Sequence, residues 1–231
     1  MVVCTIFSHS LKRLRYYHGL CSDCEVAAAS DQFKLQIGTP ALECVVWDVF
    51  LSIKIVILND LASLNEVTFD LSSIGGGLTL ETIHIFDQAK ILNLTLKETT
   101  GKFSACFTRV TKLFLTVNSI VFNFDVINSC PALEELRIRK WGCDALIRNG
   151  WRDPASVPKC LLHSLTTVSY EGFQDHEDEK AMLKYIVHHA LVMERVDIHA
   201  NPYRGLKGKF ESFNKMLMLS RVSPACQIFF H

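Results

Sequence analysis

The sequence predicts an α/β fold: an irregular leucine-rich-repeat solenoid with parallel strands on its concave face, capped by a C-terminal α/β domain. Two observations lead to this prediction. A short apolar pattern recurs along the chain, and from about Trp151 turn residues, a strand and an amphipathic helix replace the irregular return segments. A chain of 231 residues suits one large domain or a domain with a smaller neighbour. We therefore expect repeats over residues 1–150 and the cap over residues 151–231.

The recurring pattern is apolar-x-x-apolar-x-apolar. Its last two apolar positions alternate as in a strand with one buried face, and the first lies a turn earlier and enters the same core. Successive copies begin 21 to 32 residues apart, which centres unevenly on the roughly 20–29-residue period of leucine-rich repeats. The eight copies are Leu11/Leu14/Tyr16, Leu42/Val45/Trp47, Leu64/Val67/Phe69, Ala89/Leu92/Leu94, Val110/Leu113/Leu115, Leu133/Leu136/Ile138, Leu165/Val168/Tyr170 and Met193/Val196/Ile198.

One strand with its return segment cannot bury its apolar side alone, so neighbouring units are expected to stack and align their strands in a parallel sheet. The return segments vary. Ser119–Asn128 is compatible with a helix or an extended run, whereas Cys130 and Pro131 prevent a helix from continuing into the sixth copy. The asparagine usual in such repeats occurs only at Asn118 and Asn201. The array is therefore a degenerate one.

The clearest helix is predicted over Asp175–Val192. Its apolar residues recur at i, i+3, i+4 and i+7, as on a helix with one buried face, and acidic residues crowd its first turns, where the helix dipole favours negative charge. A second helix around Phe210–Leu219 and a last strand over Gln227–Phe230 complete the C-terminal domain. The apolar stripe consists of Met182, Leu183, Ile186, Val187, Ala190 and Leu191.

Composition excludes several function classes. The 24 basic residues balance the 24 acidic ones, so no large positive field holds nucleic acid or an anionic membrane. The most apolar stretch, Val45–Leu58, is interrupted by charges and is too short to cross about 30 Å of hydrocarbon. Nine cysteines without framework spacing or a preceding secretory signal favour a cytoplasmic or nuclear setting.

Three segments carry a family resemblance. They are TPALECVVWD from Thr39, SCPALEELRI from Ser129, and WRDPASVPKCLLHSLTTVSYEGF from Trp151 to Phe173. Together with the tail SPACQIFF from Ser223, they resemble plant F-box/leucine-rich-repeat proteins with a C-terminal FBD domain. The resemblance is strong over residues 151–231 and loose over the repeats.

This resemblance implies a non-enzymatic adaptor of a cullin-RING (SCF) ubiquitin ligase, in which the repeats hold a protein substrate. In that family an F-box binds the Skp1-type subunit, but the opening residues, MVVCTIFSHSLKRLRYY, resemble the middle of a repeat region. We therefore expect a Skp1-type partner only if an F-box lies upstream. The alternative is a truncated, stand-alone interaction or decoy protein that binds partners without recruiting a ligase. We expect no cofactor, and neither nucleic acid nor membrane as a partner.

The candidate partner-binding residues are those between the buried strand positions, which a solenoid turns outward along its concave face. Aromatic and arginine side chains there suit protein binding because such anchors carry much of the energy of interfaces. A merely solvated sheet face is the alternative interpretation. The residues are Arg13, Arg15, Tyr17, Asp48, Glu66, Asp70, Lys112, Phe114, Glu135, Arg137 and Arg139.

Other motifs favour structural roles. The Cys21-x-x-Cys24 spacing is that of half a zinc site, but no second pair lies nearby. Adjacent histidines His188 and His189 point about 100° apart on a helix and cannot chelate one ion from one face. The Gly75–Gly77 run lacks the residues of a phosphate-binding loop, and no cysteine carries the local pattern of a thiol hydrolase. The sequon at Asn93 is interpreted as a chance match.

Overall fold

The computed structural model describes residues 2–17, 33–48, 54–58, 60–71, 87–96, 106–117, 124–140, 151–202, 213–214 and 216–231. Within these residues the chain forms twelve strands and three helices. The strands are β1 Val2–Phe7, β2 Arg13–Tyr17, β3 Phe33–Gly38, β4 Cys44–Asp48, β5 Lys54–Ile57, β6 Glu66–Leu71, β7 Ile91–Leu96, β8 Lys112–Val117, β9 Glu135–Lys140, β10 Thr167–Phe173, β11 Arg195–Ala200 and β12 Gln227–Phe230. The helices are α1 Asp125–Asn128, α2 Lys159–His163 and α3 Glu177–His189.

Nine strands form one parallel sheet in the order β12-β11-β10-β9-β8-β7-β6-β4-β2. Eight of these strands hold the eight copies of the apolar pattern, and β12 coincides with the strand predicted over Gln227–Phe230. The prediction of an α/β protein with parallel strands is therefore confirmed.

Alternation of apolar and polar side chains along each strand gives this sheet one side that faces the core. In β7, Leu92, Leu94 and Leu96 are buried while the residues between them are half-buried. Each buried position pairs with the equivalent position of the neighbouring strand, as Leu92 does with Val67 and Leu113. The apolar side chains thus stack from strand to strand in one continuous core.

A repeated backbone contact fixes the stacking of successive units. One carbonyl just before a strand accepts hydrogen bonds from two consecutive N–H groups that lead into the next strand, as the Asn65 carbonyl does from Lys90 and Ile91 at 2.9 Å each. These bonds satisfy backbone groups that the strands themselves leave unpaired. The carbonyls that accept two such bonds belong to Lys12, Glu43, Asn65, Lys90, Thr111, Glu134 and Thr166.

A second, three-stranded parallel sheet has the order β1-β3-β5 and was not predicted. Its strands alternate with β2 and β4 along the chain, so the first units contribute one strand to each sheet. Leu35 and Ile37 of the middle strand are fully buried and join the common core, whereas Val3 and Phe7 of β1 are exposed. The core at this end of the chain is therefore covered by a strand layer.

The longest helix, α3, begins and ends inside the predicted Asp175–Val192. Its start is marked by Glu179, whose carboxylate accepts the backbone N–H of His176 at 2.9 Å, and by three acidic residues in the first turn. The buried residues include Met182, Leu183 and Ile186, as the stripe predicts. Of the segment left open as helix or extended run, only residues 125–128 are helical among those described.

Of the helix predicted around Phe210–Leu219, residues 213–214 and 216–217 are helical, and residues 203–212 and 215 lie outside those described. Strands β9 and β10 pair directly, so the main sheet continues across the predicted division between residues 150 and 151, and that division stays a prediction. Among the described helices, none has the length and apolar character needed to cross a membrane.

Candidate protein-interaction face

Three rows of residues cross the nine-stranded sheet between the buried positions, because residues paired in register on parallel strands share a side. We call these rows the polar face. The first contains Arg13, Cys44, Glu66, Ile91, Lys112, Glu135, Thr167, Arg195 and Gln227; the second Arg15, Val46, Thr68, Asn93, Phe114, Arg137, Ser169, Asp197 and Phe229; the third Tyr17, Asp48, Asp70, Thr95, Thr116, Arg139, Glu171 and His199.

All eleven predicted site residues fall in these three rows. The cations are exposed, and Glu66, Asp70, Phe114 and Glu135 are half-buried. The side chains of Tyr17 and Asp48 lie outside the described part of the chain. Whether the face binds a partner remains a prediction. The exposed cations are Arg13, Arg15, Lys112, Arg137 and Arg139.

The centre of the polar face is a cluster on β8 and β9. The Arg137 guanidinium lies over the Phe114 ring, 5.1 Å from its centroid, and donates a 3.0 Å hydrogen bond to Glu135. Lys112 Nζ lies 2.9 Å from the other oxygen of Glu135. Partial burial raises the pKa of Glu135, but the bonds from Lys112 and Arg137 outweigh it, so the pKa lies below its ordinary value. The carboxylate is thus held ionised between two cations.

The neighbouring strands extend this arrangement in both directions. On β7, the Asn93 amide donates to Glu66 at 2.9 Å and to Thr68 at 3.1 Å. Asn93 is therefore a half-buried strand residue engaged by its neighbours, which agrees with interpreting its sequon as a chance match. On β9, Arg139 Nε donates to Glu171 of β10 at 2.6 Å.

The C-terminal end of the polar face was not predicted from the sequence. Arg195 donates two hydrogen bonds to Asp197, of 2.6 and 2.9 Å, and lies over the Phe229 ring at 4.6 Å. The imidazole of His231 lies 3.3 Å from Asp197 and stacks on His199, with ring centroids 4.5 Å apart. The apolar pattern already ran through β10 and β11, so its intervening positions could have revealed Glu171, Arg195, Asp197 and His199.

A shallow cavity of about 200 Å³ opens on the polar face over β7, β8 and β9. It has polar donors on several sides and an aromatic ring on one. The lining residues are Asn93, Leu94, Thr95, Phe114, Leu115, Thr116, Arg137 and Arg139.

The other candidate motifs do not assemble a chemical site in the described chain. Cys21, Cys24 and Gly75–Gly77 lie outside the described residues. Among the residues described, no three histidine, cysteine or acidic side chains are placed to hold a metal ion. His189 instead caps the end of α3, with its Nδ1 2.8 Å from the Tyr185 carbonyl.

Four described cysteines have pKa values above the ordinary thiol value. Burial raises the pKa of Cys160 to about 12 and also raises that of Cys130. Burial likewise raises the pKa of Cys44 and Cys226. A nucleophilic cysteine needs a lowered pKa, so these four thiols lack that property.

The fold and the polar face define an α/β protein with a parallel sheet, one side of which faces the core while the other presents charged and aromatic residues. Residues 153–198 match the FBD family. The matched segment runs from the turn before α2 through β10 and α3 into β11. This segment is therefore similar to FBD domains, and the chain is similar to plant FBD-containing F-box proteins, as its sequence motifs predicted.

Three relatives from Arabidopsis thaliana illustrate the relationship. A probable FBD-associated F-box protein is 28% identical over 135 residues, which are 56% of this chain and 31% of the relative. An F-box/FBD/LRR-repeat protein is 30% identical over 107 residues, 46% of this chain and 25% of the relative. A putative F-box/FBD/LRR-repeat protein is 29% identical over 80 residues, 35% of this chain and 18% of the relative.

The chain spans less than a third of the length of these relatives. Their names describe F-box and FBD proteins rather than enzymes. No solved structure matches the chain.

Proposed function

We propose that the chain is a protein-interaction module, the substrate-recognition part of an F-box type adaptor for a cullin-RING (SCF) ubiquitin ligase. The observation that carries the proposal is the polar face, on which five of the nine parallel strands, β2, β8, β9, β11 and β12, carry arginine or aromatic residues. Such side chains supply most of the energy at protein interfaces. A wide, fairly flat face of this kind suits a protein partner better than a small molecule.

The proposal includes a leucine-rich-repeat solenoid as the scaffold. One support is that the strands of the nine-stranded sheet lie side by side in the order in which they follow one another along the chain. The other is the repeated contact, which we call the carbonyl ladder, in which one carbonyl accepts two N–H groups at the entry to each strand of this sheet from β4 to β11. Each unit then contacts only its neighbours, which is the organisation of repeat proteins. Two relatives carry LRR-repeat in their names.

The adaptor role is supported by the F-box named in each relative. A ligase adaptor needs a Skp1-binding F-box in the same polypeptide as the substrate face. An immunoblot with an antibody against residues 151–231 measures the mass of the native protein. A band much heavier than 26.1 kDa that co-precipitates a Skp1-type subunit supports the adaptor, whereas a band near that mass without it supports the decoy.

Substrate recognition is tested by a paired substitution in the polar face. Phe114→Ala with Arg137→Ala removes the central ring and the cation above it, and we expect partner proteins to be lost while the melting temperature falls by no more than about two degrees. The matched control is Lys12→Ala with Leu58→Ala, which removes an exposed cation and an exposed apolar side chain outside the polar face. Equal loss of partners in both variants contradicts the proposal.

The half-lives of the captured partners separate the two roles. Proteins that bind the wild type but not the Phe114/Arg137 variant are followed after translation is blocked. An adaptor shortens their half-lives when it is overexpressed, whereas a decoy lengthens them. Unchanged half-lives contradict both roles in ubiquitin-dependent turnover.

A further inference from the structure

The cavity on the polar face has a chemical asymmetry that points to one class of ligand group. Its wall on β9 consists of Arg137 and Arg139, two residues apart on one strand and both exposed. Its floor carries the hydroxyls of Thr95 and Thr116, which are paired in register on β7 and β8. Within the described residues these two hydroxyls have no hydrogen-bonding partner. Donors therefore converge on the cavity from the floor and one wall.

Both guanidinium groups keep donors for a further acceptor. Arg137 uses one terminal nitrogen for Glu135, and Arg139 uses Nε for Glu171. An arginine side chain has five N–H donors in a fixed fork, so these carboxylates occupy one side of each group and hold it in position. The remaining N–H groups are available to an anion in the cavity.

The surrounding charges favour an anion with a single charge. Lys112, Arg137 and Arg139 face Glu135 and Glu171, which leaves one net positive charge in this group. Glu66 and Asp70 add negative charge on β6, beyond the opposite wall. With these two residues the seven groups sum to one net negative charge, so a phosphate, which carries about −1.5 to −2 at neutral pH, is repelled more strongly than a singly charged carboxylate. The planar carboxylate also suits bidentate contacts with arginine.

The size and openness of the cavity favour a side chain on a larger partner. Sites for free small molecules enclose about 300–1,000 Å³ and bury most of the ligand. This cavity is smaller, at about 200 Å³, and opens widely on the sheet surface. The Phe114 ring beside it offers an apolar contact for the methylene groups of the entering side chain.

We propose that the cavity is the specificity subsite of the polar face and takes the single carboxylate of a glutamate or aspartate in a peptide segment of the partner, held by Arg137, Arg139 and the two threonine hydroxyls. This inference rests on the proposed function, because it names the substrate chemistry that the polar face selects. Under this proposal Arg137 and Arg139 bind a side-chain carboxylate of the partner.

The test uses the full chain, immobilised, and a library of twelve-residue peptides with degenerate flanks and one fixed central residue. The central residue is glutamate, glutamine or phosphoserine in three separate pools. We expect the glutamate pool to be retained about two- to fivefold better than the glutamine pool, the range expected for half-exposed ion pairs, with the advantage falling as salt is raised. We expect phosphoserine to be retained less well than glutamate.

Two variants locate the effect. Arg137→Gln with Arg139→Gln is expected to abolish the advantage of glutamate over glutamine. The control, Lys12→Gln with Lys90→Gln, removes two exposed charges that directly precede strands β2 and β7 and is expected to preserve the advantage. Thermal melting checks that each variant folds. If the arginine variant does not fold, Thr95→Val with Thr116→Val removes only the hydroxyls and is expected to reduce the advantage.

Three results overturn the proposal: equal retention of glutamate and glutamine, better retention of phosphoserine, or loss of the advantage in the lysine control. If the glutamate and glutamine pools are retained equally, and retention of both still requires Phe114, the carboxylate subsite is wrong but the proposed interaction function stands. If the Phe114/Arg137 variant and its Lys12/Leu58 control lose partner proteins equally, the proposed function itself is contradicted.

Discussion

The Lys140 ammonium lies 3.4 Å from a carboxylate oxygen of Glu179, and both side chains are fully buried. The same oxygen accepts the Tyr170 hydroxyl at 3.1 Å, and the other accepts the backbone N–H groups of Gln174 and His176 at 2.9 Å each. Lys140 is the last residue of β9, and Glu179 lies in the first turn of α3. The ion pair therefore joins the last strand of the predicted repeats to the helix of the segment that matches the FBD family.

We expect Glu179→Gln to lower the free energy of unfolding by about 3–5 kcal/mol, because it leaves the Lys140 charge buried without its carboxylate. Lys140→Met with Glu179→Gln removes both charges and is expected to lose less than the single variant. Urea unfolding at pH 7 measures the two differences. The control, Arg139→Gln, breaks a more exposed ion pair with Glu171 and is expected to cost at most about 1 kcal/mol. If Glu179→Gln lowers the free energy of unfolding by no more than Arg139→Gln does, the buried pair contributes little to stability.

Gly172 is expected to tolerate no side chain. Its φ of +86° lies in the left-handed region, at the point where the register of β10 against β11 shifts, and an added Cβ would lie 2.9 Å from the Lys140 carbonyl oxygen. Gly172→Ala is therefore expected to lower the free energy of unfolding by roughly 1–3 kcal/mol. Thermal and urea unfolding measure it against Glu171→Ala, the adjacent residue in β10. Wild-type stability in Gly172→Ala would mean that this backbone conformation is not required.

Asp197 is expected to contribute stability that disappears in acid. The hydrogen bonds from Arg195, followed by that from His231, hold its pKa below the ordinary value of 3.8 although partial burial opposes them. Because the native pKa is lowered, the ionised carboxylate stabilises the fold above about pH 4, and this contribution is lost as the pH falls through the native value.

Asp197→Asn is therefore expected to be less stable than the wild type by up to about 1 kcal/mol at pH 7, since Arg195 is half-exposed. The difference should shrink steadily between pH 5 and pH 2. Urea unfolding of both proteins across this range measures it. A difference that grows in acid would mean that the carboxylate is not the stabilising form.

The thiols are expected to differ sharply in alkylation rate. Cys130 and Cys160 are buried with raised pKa values and should react with iodoacetamide at pH 7.5 only on unfolding, whereas Cys4 and Cys106 are exposed and should react at about the rate of free cysteine. Peptide mass spectrometry with and without urea gives the rates. A cysteine that reacts much faster than free cysteine would favour the thiol-hydrolase alternative over an interaction module.

The main sheet could be predicted because its pattern is local. In each unit, residues such as Leu133, Leu136 and Ile138 lie within six positions. The same three positions are buried in seven of the eight copies, and in the first copy they are partly buried. The β1-β3-β5 sheet was missed because β3 and β5 lack the apolar residue one turn earlier: Gln32 stands at that position before Leu35 and Ile37, and Ser52 before Ile55 and Ile57. A short alternating run such as β1 fits a strand in either sheet, so its partners are decided by the packing of the whole chain.

The part of the polar face on β2 to β9 was predicted from alternation alone, and the eleven predicted residues fall in the three rows that the strand registers define. Its contacts could not be predicted, since the pairing of Arg139 with Glu171 spans 32 residues and depends on strand order and rotamers. The same holds for the cavity, whose floor requires Thr95 and Thr116 to be neighbours across two strands. Sequence patterning assigns a residue to a side of the sheet, whereas the chemistry of a site depends on which residues meet there.

The carbonyl ladder that leads into the main-sheet strands from β4 to β11 bears on how the number of units in such a chain can change. Because one carbonyl receives the two N–H groups of the next unit wherever that unit comes from, a whole unit can be gained or lost without re-pairing the others. Each added unit widens the polar face by one column of three residues, about 4.8 Å across. Length variation in this fold is therefore a direct way to alter the breadth of the partner that the face can cover, one strand width at a time.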